Sequence, residues 1–108
     1  MAREGLTRPV VLGLGKPLVL WLLQIKPRSG YELMSEIERL TGMTLGPGLI
    51  YPFLHMLEES DCIAGKWIER AGRKAKYYSI TRKGEAVLGK VRDLFKFPLK
   101  EIILDLLE

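Results

Sequence analysis

The chain has 108 residues, the size of one domain, and 47% of them are hydrophobic, enough for a single small core. Its one cysteine excludes an internal disulfide, and with only one histidine beside it a structural zinc site is not expected. The longest early apolar run, Leu18 to Leu23, is far shorter than the roughly 20 residues that cross a bilayer. We therefore expect a cytoplasmic protein that uses no metal or cofactor.

The net charge of +4 is distributed very unevenly along the chain. Residues 1–29 carry five basic residues and one acidic residue, and residues 62–84 carry seven basic residues and one acidic residue. Residues 30–61 between them are acidic, with six acidic residues and one basic residue. Two segments of concentrated positive charge are typical of a protein that holds a polyanion, although a merely solvated basic surface is the alternative.

The first half of the chain contains the patterns of three helices. The first is predicted at Leu18–Ile25 with Pro17 as its first residue; it is nearly apolar all round and should be buried. The second runs from Gly30 to about Leu40, and Ser29 followed by Glu32 has the spacing of a capping box.

The third helix is predicted from about Gly48 to Ser60. Its inward residues recur at helical spacing: Ile50, Phe53, Leu54 and Leu57. The residues outside that face are Gly48, Leu49, Tyr51, Pro52, His55 and Met56. This outward side contains no Arg, Lys, Asn or Gln, the residues that most often read bases by paired hydrogen bonds. If the helix binds DNA, phosphate contacts made elsewhere should supply most of the affinity.

The second half begins with two predicted strands, Ile63–Arg70 and Ala75–Thr81, joined by a turn in which Gly72 is the best candidate for a positive φ. Thr81 should cap a last helix that starts at about Arg82. Its apolar residues follow each other at intervals of three or four, as in a helix that contacts another helix: Leu88, Val91, Phe95, Leu99, Ile102 and Leu106. We call this set the C-terminal apolar row. Pro98 must kink this helix or divide it.

This order of elements predicts a mostly α-helical α+β fold, a winged helix-turn-helix with a long C-terminal dimerisation helix. Residues 1–84 would form the DNA-binding domain with an N-terminal arm, and residues 85–108 the dimerisation helix. In such folds the second helix of the pair enters the major groove and the wing lies along the DNA backbone. The predicted DNA contacts are Ser29, Tyr31, Gly48, Leu49, Tyr51, Pro52, His55, Arg73, Lys74 and Lys76. Weaker phosphate-binding candidates are Arg8, Arg28, Arg70, Arg82 and Lys83.

Three sequence motifs resemble those of the PadR family of transcriptional regulators. They are Ser29-Gly30-Tyr31-Glu32-Leu33, the segment from Pro47 to Glu58, and the segment from Gly72 to Gly84. The resemblance implies a homodimeric repressor of the small subgroup with one C-terminal helix, which binds double-stranded DNA and dimerises through that helix. It also implies that Tyr51 and Pro52 lie at the DNA surface. The chain departs from the family in having Leu49 where a serine or threonine is common, and Cys62 where glycine is usual.

Some members of the family bind planar aromatic effectors between the helices of the dimer. Trp21, Phe95 and Phe97 are candidates for such a pocket, and core packing explains them equally well. A different function also fits the sequence: a winged helix that contacts another protein through Leu49, Pro52 and Met56. An enzyme is not expected, because neither His55 nor Cys62 has an evident catalytic partner.

Overall fold

A computed structural model describes residues 9, 10, 12–97 and 99–107. The elements are α1 (Gly15–Ile25), β1 (Arg28–Ser29), α2 (Gly30–Thr41), α3 (Pro47–Glu59), β2 (Ile63–Arg70), β3 (Arg73–Ile80), α4 (Arg82–Lys96) and α5 (Lys100–Leu106). Residues 9, 10, 12 and 13 are also helical. The predicted mostly helical winged helix-turn-helix is therefore confirmed, while the arm before residue 9 lies outside the described residues.

The core is formed where the first three helices meet. Each helix contributes fully buried aliphatic side chains, among them Leu20 of α1, Ile37 of α2 and Ile50 of α3. Helix α1 begins two residues before Pro17, so that the proline lies within its first turn. The expectation that this helix is buried holds for most of its apolar residues, but Trp21 and Ile25 are exposed on one side.

The predicted capping box at the start of α2 is confirmed. The Ser29 hydroxyl accepts a hydrogen bond from the Glu32 amide at 3.2 Å, and the Glu32 carboxylate accepts one from the Ser29 amide at 3.0 Å. The helix ends at Thr41 and is capped by Gly42, whose φ of +72° places it in the left-handed region that glycine adopts easily. These two local signals fix where α2 begins and ends.

The strands form one antiparallel sheet in the order β1-β3-β2. Arg70 pairs with Arg73, which leaves a turn of only two residues, and both of them, Ala71 and Gly72, have positive φ. A two-residue turn of this kind matches the twist of a β-hairpin. Because the turn is this short, β3 starts at Arg73, two residues before its predicted beginning at Ala75. The hairpin of β2 and β3 is the wing. Strand β1 was not predicted, because two residues are too short for a recognisable pattern.

The predicted long C-terminal helix is two helices in the structure. Helix α4 begins after Thr81, whose hydroxyl accepts a hydrogen bond from the Gly84 amide as expected of a cap. It ends at Lys96, and α5 begins at Lys100; residue 98 lies outside the described residues. Among the described residues, no helix is both long enough and apolar enough to cross a membrane.

Candidate nucleic-acid interface

The exposed side of α3 is close to what its sequence pattern predicts. Gly48, Tyr51, Pro52 and His55 are all exposed along this helix. Leu49 differs, because it is half-buried and packs against the core. The surface offered by α3 is therefore narrower than predicted, since little of Leu49 remains available to touch a thymine methyl group.

Tyr51 lies directly against the start of α2. A Cβ atom added at Gly30 would stand 2.7 Å from Cε1 of the Tyr51 ring and 2.8 Å from its hydroxyl oxygen. Residue 30 must therefore lack a side chain if the tyrosine is to keep this position. The contact holds the α3 aromatic beside the first turn of α2, so the exposed parts of both helices form one continuous surface.

Ser29 and Tyr31 flank that contact. The Ser29 hydroxyl oxygen is engaged in the helix cap, which leaves its hydrogen free to be donated elsewhere. The Tyr31 side chain is 73% exposed, so it is not part of the core. Both residues lie on the surface that also carries Tyr51.

His55 has a partner on its own helix. Its Nε2 lies 2.6 Å from a carboxylate oxygen of Glu59, one turn further along, and both side chains are largely exposed. Exposed pairs of this kind contribute little to stability and exchange partners readily. His55 can therefore leave Glu59 for another hydrogen-bond acceptor at small cost.

The three predicted phosphate-binding residues of the wing are not equivalent. Arg73 and Lys74 are exposed next to the turn. Lys76 instead donates a 2.9 Å hydrogen bond from Nζ to the Glu58 carboxylate of α3, and this bond raises the pKa of Lys76 above its ordinary value. The lysine side chain crosses Gly65, where any Cβ would overlap it. Lys76 thus joins the wing to α3 through Glu58.

Arg28 has a structural position, which corrects its place among the phosphate-binding candidates. It is buried, donates a 3.2 Å hydrogen bond to the Leu22 carbonyl and lies 4.0 Å from the Glu36 carboxylate. A buried guanidinium with these partners is not free to meet a phosphate. Arg8 lies outside the described residues.

A groove of about 480 Å³ runs between the wing, α3 and the first turn of α2. The residues that give it its chemical character are Tyr31, Tyr51, Trp67, Lys74 and Lys76. We call it the wing groove. Trp67 was not among the predicted site residues, although its indole is 66% exposed. In the hairpin, Trp67 lies on the same sheet face as Lys74 and Lys76. The sequence alone does not reveal this, because which residues share a face across two strands depends on the register that the two-residue turn sets.

The C-terminal apolar row is exposed only in part. Leu88 is 6% exposed and belongs to the core of the chain, which corrects its assignment to a dimer surface. Val91, Phe95 and Leu99 are half-buried, whereas Ile102 and Leu106 are exposed. The row therefore passes from the core to the surface along its length.

The three aromatic residues suggested for an effector pocket do not line a single groove. Trp21 and Phe95 line one apolar groove of about 320 Å³ between α1 and α4, with Arg92 at its edge. Phe97 lines a second groove next to Lys100, which Phe95 also borders. Phe97 does not reach the groove that contains Trp21. In the described part of the chain, no group of His, Cys, Asp and Glu residues is arranged to hold a metal ion.

The chain is similar to proteins of one family over most of its length. Residues 19–90 match the transcriptional regulator PadR-like family, and among curated proteins no sequence matches significantly. A PadR family transcriptional regulator from Eggerthella lenta has a TM-score of 0.84 and 26% identity, covering 99% of this chain and 93% of that one. A PadR-like transcriptional regulator from Bacillus cereus has a TM-score of 0.78 and 26% identity, covering 89% and 93% of the two chains.

A third solved structure is PadR of Bacillus subtilis in complex with operator DNA, with a TM-score of 0.65 and 26% identity. The aligned region covers 69% of this chain and 44% of the Bacillus subtilis chain. The match to the family model spans the helices and the wing that form the candidate interface, and it agrees with the expectation of a non-enzymatic protein. By this match, the chain belongs to the PadR-like family of transcriptional regulators.

Proposed function

We propose that this protein is a cytoplasmic, homodimeric repressor that binds operator DNA with α3 and the wing. The observation that carries the proposal is the single surface formed by the exposed side of α3, the first turn of α2 and the wing lysines Lys74 and Lys76, which meet at the wing groove. The similarity to Bacillus subtilis PadR, which was crystallised with operator DNA, supports the same partner for this chain.

We assign base contacts to α3 and phosphate contacts to the wing from the side chains that each element exposes. Tyr51 and His55 are the side-chain hydrogen-bond donors on the exposed side of α3, so few bases are read directly. A Cβ atom added at Gly48 would meet no other atom within 4 Å, so the packing of the protein does not require glycine there. The missing side chain would instead allow a DNA strand to approach the helix backbone closely. Arg73 and Lys74 supply phosphate contacts, and these give most of the affinity.

The second copy of the chain is proposed from the C-terminal helices. None of the seven residues of α5 is buried, although four of them are isoleucine or leucine. A seven-residue helix is not stable alone in water and needs a packing partner. The radius of gyration is 15.2 Å, against about 13 Å for a compact domain of this length. We infer that α5 and the exposed end of the C-terminal apolar row pack against the partner subunit.

The proposed regulatory ligand is a small aromatic molecule that relieves repression. The groove lined by Trp21 and Phe95 supports this, because it is apolar and opens next to the helices that would form the dimer. Phe97 does not share the groove and is left out of the proposed pocket.

The rival function, a winged helix that contacts another protein, loses part of its support. It relied on an apolar surface made by Leu49, Pro52 and Met56. Because Leu49 packs against the core, only Pro52 and Met56 remain exposed. Two exposed apolar residues are fewer than the three on which this alternative relied.

Replacing Arg73 and Lys74 together by glutamine should weaken binding to duplexes of any sequence. A plot of log affinity against log salt concentration should also become flatter, by about one unit for each lost phosphate contact. Fluorescence anisotropy of labelled random duplex, measured at several salt concentrations, gives both quantities.

Lys66→Gln is the matched control for this experiment. It removes one positive charge from the same wing, at a position that pairs with Tyr77 and so lies well away from the turn. Lys66 is on the sheet face opposite Lys74 and on the same face as Arg73, so its distance from the turn is what distinguishes it. Its salt slope should stay close to that of the unmodified protein. An unchanged slope in the Arg73 and Lys74 variant would reject the wing turn as the phosphate contact.

A further inference from the structure

The wing groove contains an exposed aromatic side chain for which the fold gives no reason. Trp67 lies on β2, and two thirds of its indole is open to solvent. A tryptophan this exposed forgoes the large stabilisation that burying its side chain would give the fold. Exposed tryptophans are therefore often residues that contact a binding partner. Its neighbours in the groove are Tyr31, Tyr51 and Lys74, three of the proposed DNA contacts.

The charges around Trp67 indicate the kind of partner. Of the two groove lysines, Lys76 is already paired with Glu58. Among the described residues, Lys74 makes no ion pair: Glu69 stands opposite it in the hairpin but is not in salt-bridge contact with it and does not line the wing groove. An apolar partner covering the groove would therefore bury the Lys74 ammonium group unpaired, at high cost. A sugar–phosphate strand avoids that cost, because its phosphate pairs with Lys74 while its deoxyribose presents an apolar surface to the indole.

Two contacts hold the groove open in one shape. The Tyr51 ring against Gly30 fixes the α3 side, and the ion pair between Lys76 and Glu58 fixes the wing relative to α3. The indole is thus presented at a set distance from α3, as a preformed side of the groove.

We propose that Trp67 is a DNA-contacting residue whose indole packs against the sugar–phosphate strand lying in the wing groove, with its N–H donating to a phosphate oxygen. The inference rests on the proposed function and adds to it a non-ionic contact that none of the charged wing residues can supply. Such a contact contributes affinity without adding to the salt dependence.

Trp67 can report on its own environment, because the chain has only two tryptophans. In a Trp21→Phe protein all indole emission comes from Trp67. Titration with random duplex should move the emission maximum to shorter wavelength as the exposed indole loses water. Anisotropy of the labelled duplex, followed in the same samples, shows when the DNA is bound. Full binding with no change in the emission would overturn the inference.

Substitution supplies a second test. Trp67→Ala should reduce affinity about tenfold, toward the low end for an aromatic contact to nucleic acid. Its salt slope should match that of the unmodified protein, and Trp67→Phe should recover much of the affinity. Unchanged affinity in a folded Trp67→Ala protein would contradict the contact. If the unmodified protein binds no duplex at all, the proposed function fails, which is distinct from DNA binding that leaves Trp67 unaffected.

Discussion

A protein carrying Gly84→Ala is expected to lose about 3 kcal/mol of folding free energy. Gly84 lies in the first turn of α4, and a Cβ there would overlap the carbonyl oxygen of Cys62 and stand 2.7 Å from Cγ1 of Ile80. The carbonyl belongs to the backbone and accepts a 3.0 Å hydrogen bond from the Thr81 amide, so it cannot move aside cheaply. Helix propensity by itself predicts the opposite sign, since alanine is favoured over glycine inside a helix.

Gly89→Ala provides the matched control in the same helix. Nothing lies within 4 Å of the Cβ it would add, so the propensity gain of up to about 1 kcal/mol should appear as increased stability. Urea denaturation followed by circular dichroism measures both variants. Equal stabilities for the two alanine proteins would show that α4 does not approach the Cys62 carbonyl as closely as described.

Ile102→Asp should convert the protein to a monomer and weaken operator binding about a hundredfold. The Ile102 side chain is 57% exposed on α5. In a dimer contact, a carboxylate at this position would lose its hydration and gain no opposite charge in return. The loss of DNA affinity follows because two linked half-site contacts bind far more tightly than one. Light scattering after gel filtration gives the mass, and anisotropy gives the affinity.

Leu104→Asp is the control for this prediction. Leu104 is 52% exposed on the same short helix, but it lies two residues from Ile102 and so on the opposite side. This variant should remain dimeric and bind DNA normally. If Ile102→Asp stays dimeric while Leu104→Asp dissociates, the dimer uses the other side of α5, and the C-terminal apolar row is the wrong surface.

Much of the fold follows from signals that are local in sequence. The helices could be predicted because apolar residues recur at helical spacing, and the Ser29 and Glu32 pair marks the start of α2. The wing strands could be predicted from β-favouring residues on either side of Gly72. Each of these signals acts over a few residues, so no knowledge of the tertiary structure is needed.

The features that could not be predicted depend on contacts between distant segments. The pairing of Arg28 with Tyr78 and the ion pair of Glu58 with Lys76 join residues far apart in the chain. The burial of Leu88 depends on how α4 packs against α1. Trp67 faces the wing groove only because a two-residue turn sets the register of the hairpin. The list of candidate contacts from sequence therefore included Lys76 and omitted Trp67.

Selection of bound sequences from a random DNA pool, followed by footprinting of the enriched site, tests the central claim most directly. The claim is that two copies of this chain bind one operator through α3 and the wing. We expect a pseudo-palindromic site protected by two chains, with half-sites about 34–36 Å apart, one helical turn. Failure to enrich any duplex, or enrichment of a single unpaired half-site bound by one chain, would contradict the account.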